Sequence, residues 1–112
     1  MVLNWFDTKE IDKFADAISA DFLARFPPSE IEAQKRKGAA RFKKARDAVF
    51  AQTEDFVRAK SLNMYKKARL GNRFKWALKE AGYPDKFIDS LTYELTAFVA
   101  VKAGMDRKAA SR

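Results

Sequence analysis

The chain has 112 residues and 23 Lys and Arg against 15 Asp and Glu, so it is one domain's length with a formal charge of +8. Cysteine and histidine are both absent. That excludes disulfides, zinc-thiolate sites and thiol nucleophiles, and it removes the side chain that most often serves as a general base near neutral pH or as a metal ligand.

The first residues, Met1 to Asp7, carry neither a basic leader nor a long apolar run. Elsewhere the longest apolar stretch, residues 97–101, falls far short of the ~20 residues a membrane span requires. The expectation is a cytoplasmic, reducing-compartment protein with no membrane partner and a core built from ten phenylalanines.

The first helix is signalled by Asp7 followed by Glu10, a capping-box spacing. Ile11, Phe14, Ala15, Ile18, Phe22 and Phe26 then recur at helical intervals, which places them on one face. Pro27 and Pro28 stop the helix, because a residue preceding proline is pushed out of the α region. A second box, Ser29 with Glu32, opens a longer helix striped by Ile31, Phe42, Ala45, Val49, Phe56 and Val57. It reads as far as about Lys60, with Gly38 as a weak point or a break. Around Ser61, Leu62 and Asn63 the chain either caps a new helix or runs straight through.

The third stripe is Leu70, Phe74, Ala77, Leu78 and Ala81, with Gly71 as a second candidate break. Gly82 stands where a left-handed C-terminal cap belongs, and Pro84 follows two residues later. The last helix begins near Asp85 and carries Phe87, Ile88, Leu91, Leu95, Phe98 and Val99, with Gly104 as its expected end. No stretch alternates with the period of two that a half-buried strand needs. The pattern predicts an all-α, single-domain bundle of four or five helices over residues 1–104, followed by a polar, frayed tail at 105–112.

Charge is unevenly distributed. Residues 1–28 sum to −2, residues 29–62 to +4, residues 63–82 to +5 and residues 83–112 to +1. Seven bases fall within residues 35–46 with no acid among them, and a second acid-free run extends from Arg58 to Lys79. At 100° per residue, Lys37, Arg41 and Lys44 share one side of their helix, and Arg69 and Arg73 share another. Rows of this kind suit phosphates, since each contact releases condensed counterions without demanding special geometry. The competing reading is a solvated helix face neutralised by the acidic first helix, with Asp12 and Asp16, one turn apart, as the natural partners.

Trp76 lies about 160° around its helix from Phe74, among Arg69, Arg73 and Glu80. It serves either as a stacking platform for unpaired bases or as an aromatic packed under a neighbouring helix or under the segment holding Trp5 and Phe6. A short echo, Arg41-Phe42-Lys43-Lys44-Ala45 and Arg73-Phe74-Lys75-Trp76-Ala77, suggests two similar basic helices without amounting to a repeat family.

Enzymatic readings find little support. The nearest carboxylate pairs, Asp12 with Asp16 and Glu54 with Asp55, have ordinary surface-helix spacing, and a two-carboxylate mechanism needs groups held in a cleft with split pKa values. Neither a glycine-rich phosphate loop nor a nucleophile elbow is present. The sequence therefore predicts a non-enzymatic binding module without cofactor or metal. Its basic face, Lys37, Arg41, Lys44, Arg69, Arg73 and Trp76, is expected to take an acidic partner, nucleic acid foremost or else an acidic protein. The alternative is a protein-interaction or structural module, a homodimer through the long second helix, with Phe50, Tyr65, Tyr83, Tyr93 and Val101 as leftover apolar surface.

Overall fold

The structure, a computed structural model, describes residues 8–33, 35–60 and 62–110, apart from the side chains of residues 32–33, 35–37 and 103–110. Among these residues, helix is the only regular structure. Helix α1 spans Lys9–Arg25, the single turn α2 Glu30–Ala33, α3 Lys35–Ala59, α4 Met64–Ala81 and α5 Asp85–Ala110. Four long helices thus form one globule with no strand among the described residues.

The apolar stripes become the core. Ile11, Ala15, Ile18 and Phe22 of α1 face Ala45, Val49 and Val57 of α3, Leu70, Phe74 and Leu78 of α4, and Ile88, Leu91, Leu95 and Val99 of α5, all buried. At the end where α1 and α4 finish and α5 starts, Phe22, Phe26, Phe42, Tyr83 and Phe87 form an aromatic cluster with neighbouring centroids 5.4–6.2 Å apart. Tilted and edge-on pairs dominate it, as the ring quadrupole favours. Tyr83 was expected as surplus surface. It is instead buried, and its hydroxyl donates to the Phe26 carbonyl, satisfying an acceptor at the end of α1. Phe50, another of the five residues expected as surplus, packs on Phe98 of α5 at 4.9 Å, while Tyr65, Tyr93 and Val101 are exposed.

Side-chain pairs fix the helix directions. Asp12 with Arg69, Asp16 with Arg73 and Phe26 with Tyr83 are each separated by 57 residues. A constant separation means α1 and α4 run parallel. Arg46 with Glu94, Phe50 with Phe98 and Glu54 with Lys102 are each 48 residues apart, so α3 and α5 are parallel too. Against these, α1 is antiparallel to α3 through Glu10–Lys60 and Phe14–Phe56, and α4 to α5 through Lys75–Asp89. Each long helix packs on two others, in the cyclic order α1, α4, α5, α3.

Consecutive helices α3 and α4 therefore occupy opposite corners, joined across the bundle by residues 60–63. Packed helix axes lie 8–10 Å apart, so a diagonal is about 11–14 Å. Five chain steps reach at most roughly 17 Å, and the connection is just long enough. Leu62 is buried beneath it. Asn63 starts the next helix by accepting from the Lys66 amide at 2.8 Å. The chain thus breaks in this region rather than running through; Ser61 itself lies outside the described residues.

The other punctuation differs from expectation at three glycines, and neither capping box falls wholly within the described residues. Asp7 of the first capping box lies outside the described residues; the helix starts after Thr8, whose side chain makes no capping bond. Of the second box, the Glu32 side chain lies outside them. Gly38 does not break its helix. The chain instead turns back ahead of it, so that α2 packs against α3: a Cβ at Gly38 would stand 3.2 Å from the Glu30 carbonyl, although eight residues of straight helix would separate them by about 12 Å. Gly71 also lies inside a continuous α4, at a close approach to Thr96. Finally, α5 passes through Gly104 to Ala110. One interior glycine costs only about 1 kcal/mol relative to alanine, and good helix formers follow it. Gly82 does cap α4, in the left-handed conformation at φ 98°, while the Tyr83 amide reaches back to the Leu78 carbonyl at 3.2 Å.

Candidate binding face

The core stripe of α4 is centred on Phe74, so residues half a turn away must face outward. Tyr65, Arg69, Asn72, Trp76 and Lys79 make up that outer line. Trp76 is 52% exposed and Tyr65 43%, so Trp76 is not packed under a neighbouring helix; the segment holding Trp5 and Phe6 lies outside the described residues. The Lys79 ammonium sits over the Trp76 ring, 5.2 Å from its centroid. Beside Trp76 opens a shallow cleft of about 320 Å³, lined by Asp16, Arg69, Asn72, Arg73, Trp76, Ala77 and Glu80.

The parallel packing of α1 on α4 decides what the two arginines face. Arg69 donates to both Asp12 carboxylate oxygens, at 2.9 and 3.1 Å. Arg73 does the same to Asp16, both contacts at 3.0 Å, and approaches Asp12 at 3.8 Å. These are fork-to-fork pairs, the geometry guanidinium also uses toward phosphate. The Arg69 hydrogen bond holds the Asp12 carboxyl below its ordinary range against the opposing effect of burial, with the charges of Arg69 and Arg73 adding to it. In turn, hydrogen bonding to Asp12 raises Arg69, and hydrogen bonding to Asp16 raises Arg73. The two pairs differ in exposure. Asp12 is 24% exposed and Asp16 53%, so the outer pair is the one water competes for.

The remaining residues expected on the basic face lie elsewhere. Arg41 and Lys44 are on α3, across the diagonal from α4, so the two basic rows do not merge into one surface. Arg41 is paired with Glu30 at 2.7 Å. Lys44 is exposed and joins no ion pair among the described residues. Lys37 belongs to α3, but its side chain lies outside the described residues. What the structure brings together is therefore Arg69, Arg73 and Trp76, with Tyr65, Asn72 and Lys79 added. Spacing held a signal for Tyr65: it precedes Trp76 by 11 residues, three helical turns, and so falls within about 20° of the same line.

Three of the four carboxylates considered for catalysis are paired with cations. Asp12 and Asp16 hold the arginines, while Glu54 lies between Lys102 at 2.9 Å and Arg58 at 3.2 Å. No cluster of three or more acidic or other metal-ligating side chains occurs among the described residues, and none of their helices is long and apolar enough to cross a membrane. Comparison of the chain with protein-family models, with curated proteins and with solved structures finds no match.

Proposed function

We propose that the protein is a non-enzymatic helical binding module, acting in the cytoplasm, whose α4 outer face takes nucleic acid as its acidic partner. The observation that carries this reading is Trp76, held half-exposed in a cleft beside Arg69, Asn72 and Arg73, with Lys79 over its ring. A large aromatic left half in water beside cations is suited to stacking on a base. Ion pairing within the cleft does not remove the overall surplus of eight positive charges, which draws a polyanion toward the surface and speeds encounter. Arg69 and Arg73 are the phosphate contacts of this face, and Lys44 and Arg41 form a second, weaker patch on α3.

The test is a titration of labelled single-stranded and duplex oligonucleotides across a salt series. Binding that weakens steeply with salt supports the reading. A dissociation constant weaker than about 10⁻⁴ M at low salt, or affinity indifferent to salt, sinks it.

A second reading, self-association, draws on α5. Tyr93 is 75% exposed and Val101 59%, and Ala97 and Ala100 between them also face solvent. This relocates the candidate dimer surface from α3, where Phe50 is engaged with Phe98. A concentration-dependent mass that Tyr93→Glu abolishes, with helicity retained, favours this reading; a strictly monomeric protein rejects it.

A further inference from the structure

The outer line of α4 has a second ring that the cleft does not include. Tyr65 and Trp76 stand three turns apart on nearly the same line, about 16 Å along the axis, and both are exposed. Between them lie Arg69 and Asn72, one a cation and the other an amide that can both donate and accept. Lys66 follows the first ring in sequence and Lys79 overlies the second. The order along the helix is thus aromatic, cation, amide, aromatic, cation, and no acid falls between Tyr65 and Lys79 in the sequence.

From this spacing we infer that the α4 face is a two-ring platform for a short single strand, with one base on Tyr65, another on Trp76 and the connecting phosphates passing Arg69 and Asn72. The inference rests on the nucleic-acid reading of this face and narrows it to unpaired strands. Stacked nucleotides advance about 3.4 Å each along a strand, so the gap between rings accommodates roughly five of them, and fewer where the strand is stretched to splay its bases. A duplex cannot use the platform, because its bases are already stacked on one another and offer no free face except at the ends. The rings also have an energetic role distinct from that of the cations. They are neutral, so they add affinity that salt does not screen, whereas Arg69 and Lys79 add affinity that it does.

Fluorescein-labelled oligothymidylates of increasing length, from about two to twelve nucleotides, test this at low salt with a blunt duplex of the longest length alongside. Affinity should climb steeply to a knee at about four to six nucleotides and rise only gently beyond it. Tyr65→Ala and Trp76→Ala should each lose about tenfold on strands past the knee, with the salt slope unchanged. Tyr65→Phe, which keeps the ring, should bind as the parent does. Circular dichroism of each variant verifies that α4 is retained, which the exposure of both side chains leads one to expect. Duplex binding as tight as single strand, or full affinity in Tyr65→Ala beside a loss in Trp76→Ala, overturns the two-ring platform while leaving a nucleic-acid face standing. Absence of binding to every oligonucleotide overturns both.

Discussion

Asp16 grips Arg73 through two parallel contacts of 3.0 Å, and in doing so holds the position a phosphate would take on that guanidinium. The pair lies at the edge of the Trp76 cleft, with Asp16 53% and Arg73 41% exposed. Exposed pairs of this kind are weak, because water and salt compete for both partners. A polyanion that offers the same bidentate geometry can displace Asp16, whereas the Arg69–Asp12 pair, one turn earlier and less exposed on the acid's side, stays closed and Arg69 meets a phosphate through the guanidinium nitrogen outside that fork.

Removing the resident acid should therefore strengthen anion binding. Asp16→Asn is expected to tighten single-stranded oligonucleotide binding and to steepen the salt dependence by about 0.7 in the log–log slope, the increment for one added phosphate contact. Fluorescence anisotropy across a salt series measures both. Thermal stability should change little, given the exposure of the pair. Unchanged affinity would show that Arg73 takes no part in binding.

Acid should weaken the fold through Asp12. Its folded-state pKa is depressed below 3.8, first by the Arg69 hydrogen bond. The stabilisation is therefore fully present above the ordinary carboxylate range and is lost as pH falls through the folded value. Glu54, lowered chiefly by its hydrogen bond from Lys102, acts in the same direction on the α3–α5 side. Urea midpoints measured from pH 6 down to about pH 2 should decline below about pH 4, and Asp12→Asn should flatten that limb at the expense of a lower plateau.

Much of this arrangement is legible in the sequence, and the part that is not has a physical cause. Helix faces follow from local spacing, so Ile11 to Phe22, Phe74 with Leu78, and the Gly82 cap can be read directly. The pairing of Asp12 and Asp16 with the α4 arginines is within reach as one of two readings, since two acids one turn apart on the acidic helix match two bases one turn apart on the basic one. Helix order was not. Nothing in the stripes says that residues 60–63 cross a diagonal, and only that crossing separates Arg41 and Lys44 from Arg69 and Arg73. Tyr83 reads as surface because it lies beyond the Gly82 cap, off the α4 stripe; the carbonyl of Phe26, just past the end of α1, brings it inside. Gly38 and Gly71 read as breaks because propensity registers only what glycine costs. Both are retained for close approach, to the Glu30 carbonyl and to Thr96.

At high pH the sensitive group is Tyr83. Burial raises its pKa from 10.0 to about 12, so its contribution is fully present below pH 10 and is lost as pH rises toward 12. Tyr83→Phe should remove that alkaline dependence. It should also lower stability at neutral pH by about 1–2 kcal/mol, because the Phe26 carbonyl loses its donor in a buried setting. Denaturant unfolding at neutral and alkaline pH separates the two effects. A variant whose alkaline limb matches the parent's would rule out Tyr83 as the titrating group.

Gly71 provides a test of the α4–α5 packing that opposes two known magnitudes. Replacing an interior helical glycine by alanine ordinarily stabilises by about 1 kcal/mol. Here the new Cβ would lie 2.5 Å from Thr96 Cγ2. Thr96 cannot simply rotate away, since its hydroxyl donates to the Tyr93 carbonyl at 3.0 Å and β-branching restricts its χ1. Overpacking of this kind costs about 1–3 kcal/mol, so the clash should win and Gly71→Ala should unfold at lower temperature than the parent. Thr96→Ser removes Cγ2 and keeps the hydroxyl, so adding it to Gly71→Ala should recover the loss and let the helix-propensity gain emerge. Calorimetry of the parent, both single variants and the double variant completes the cycle. If Gly71→Ala alone melts as high as the parent, α4 and α5 do not meet as closely as this contact requires.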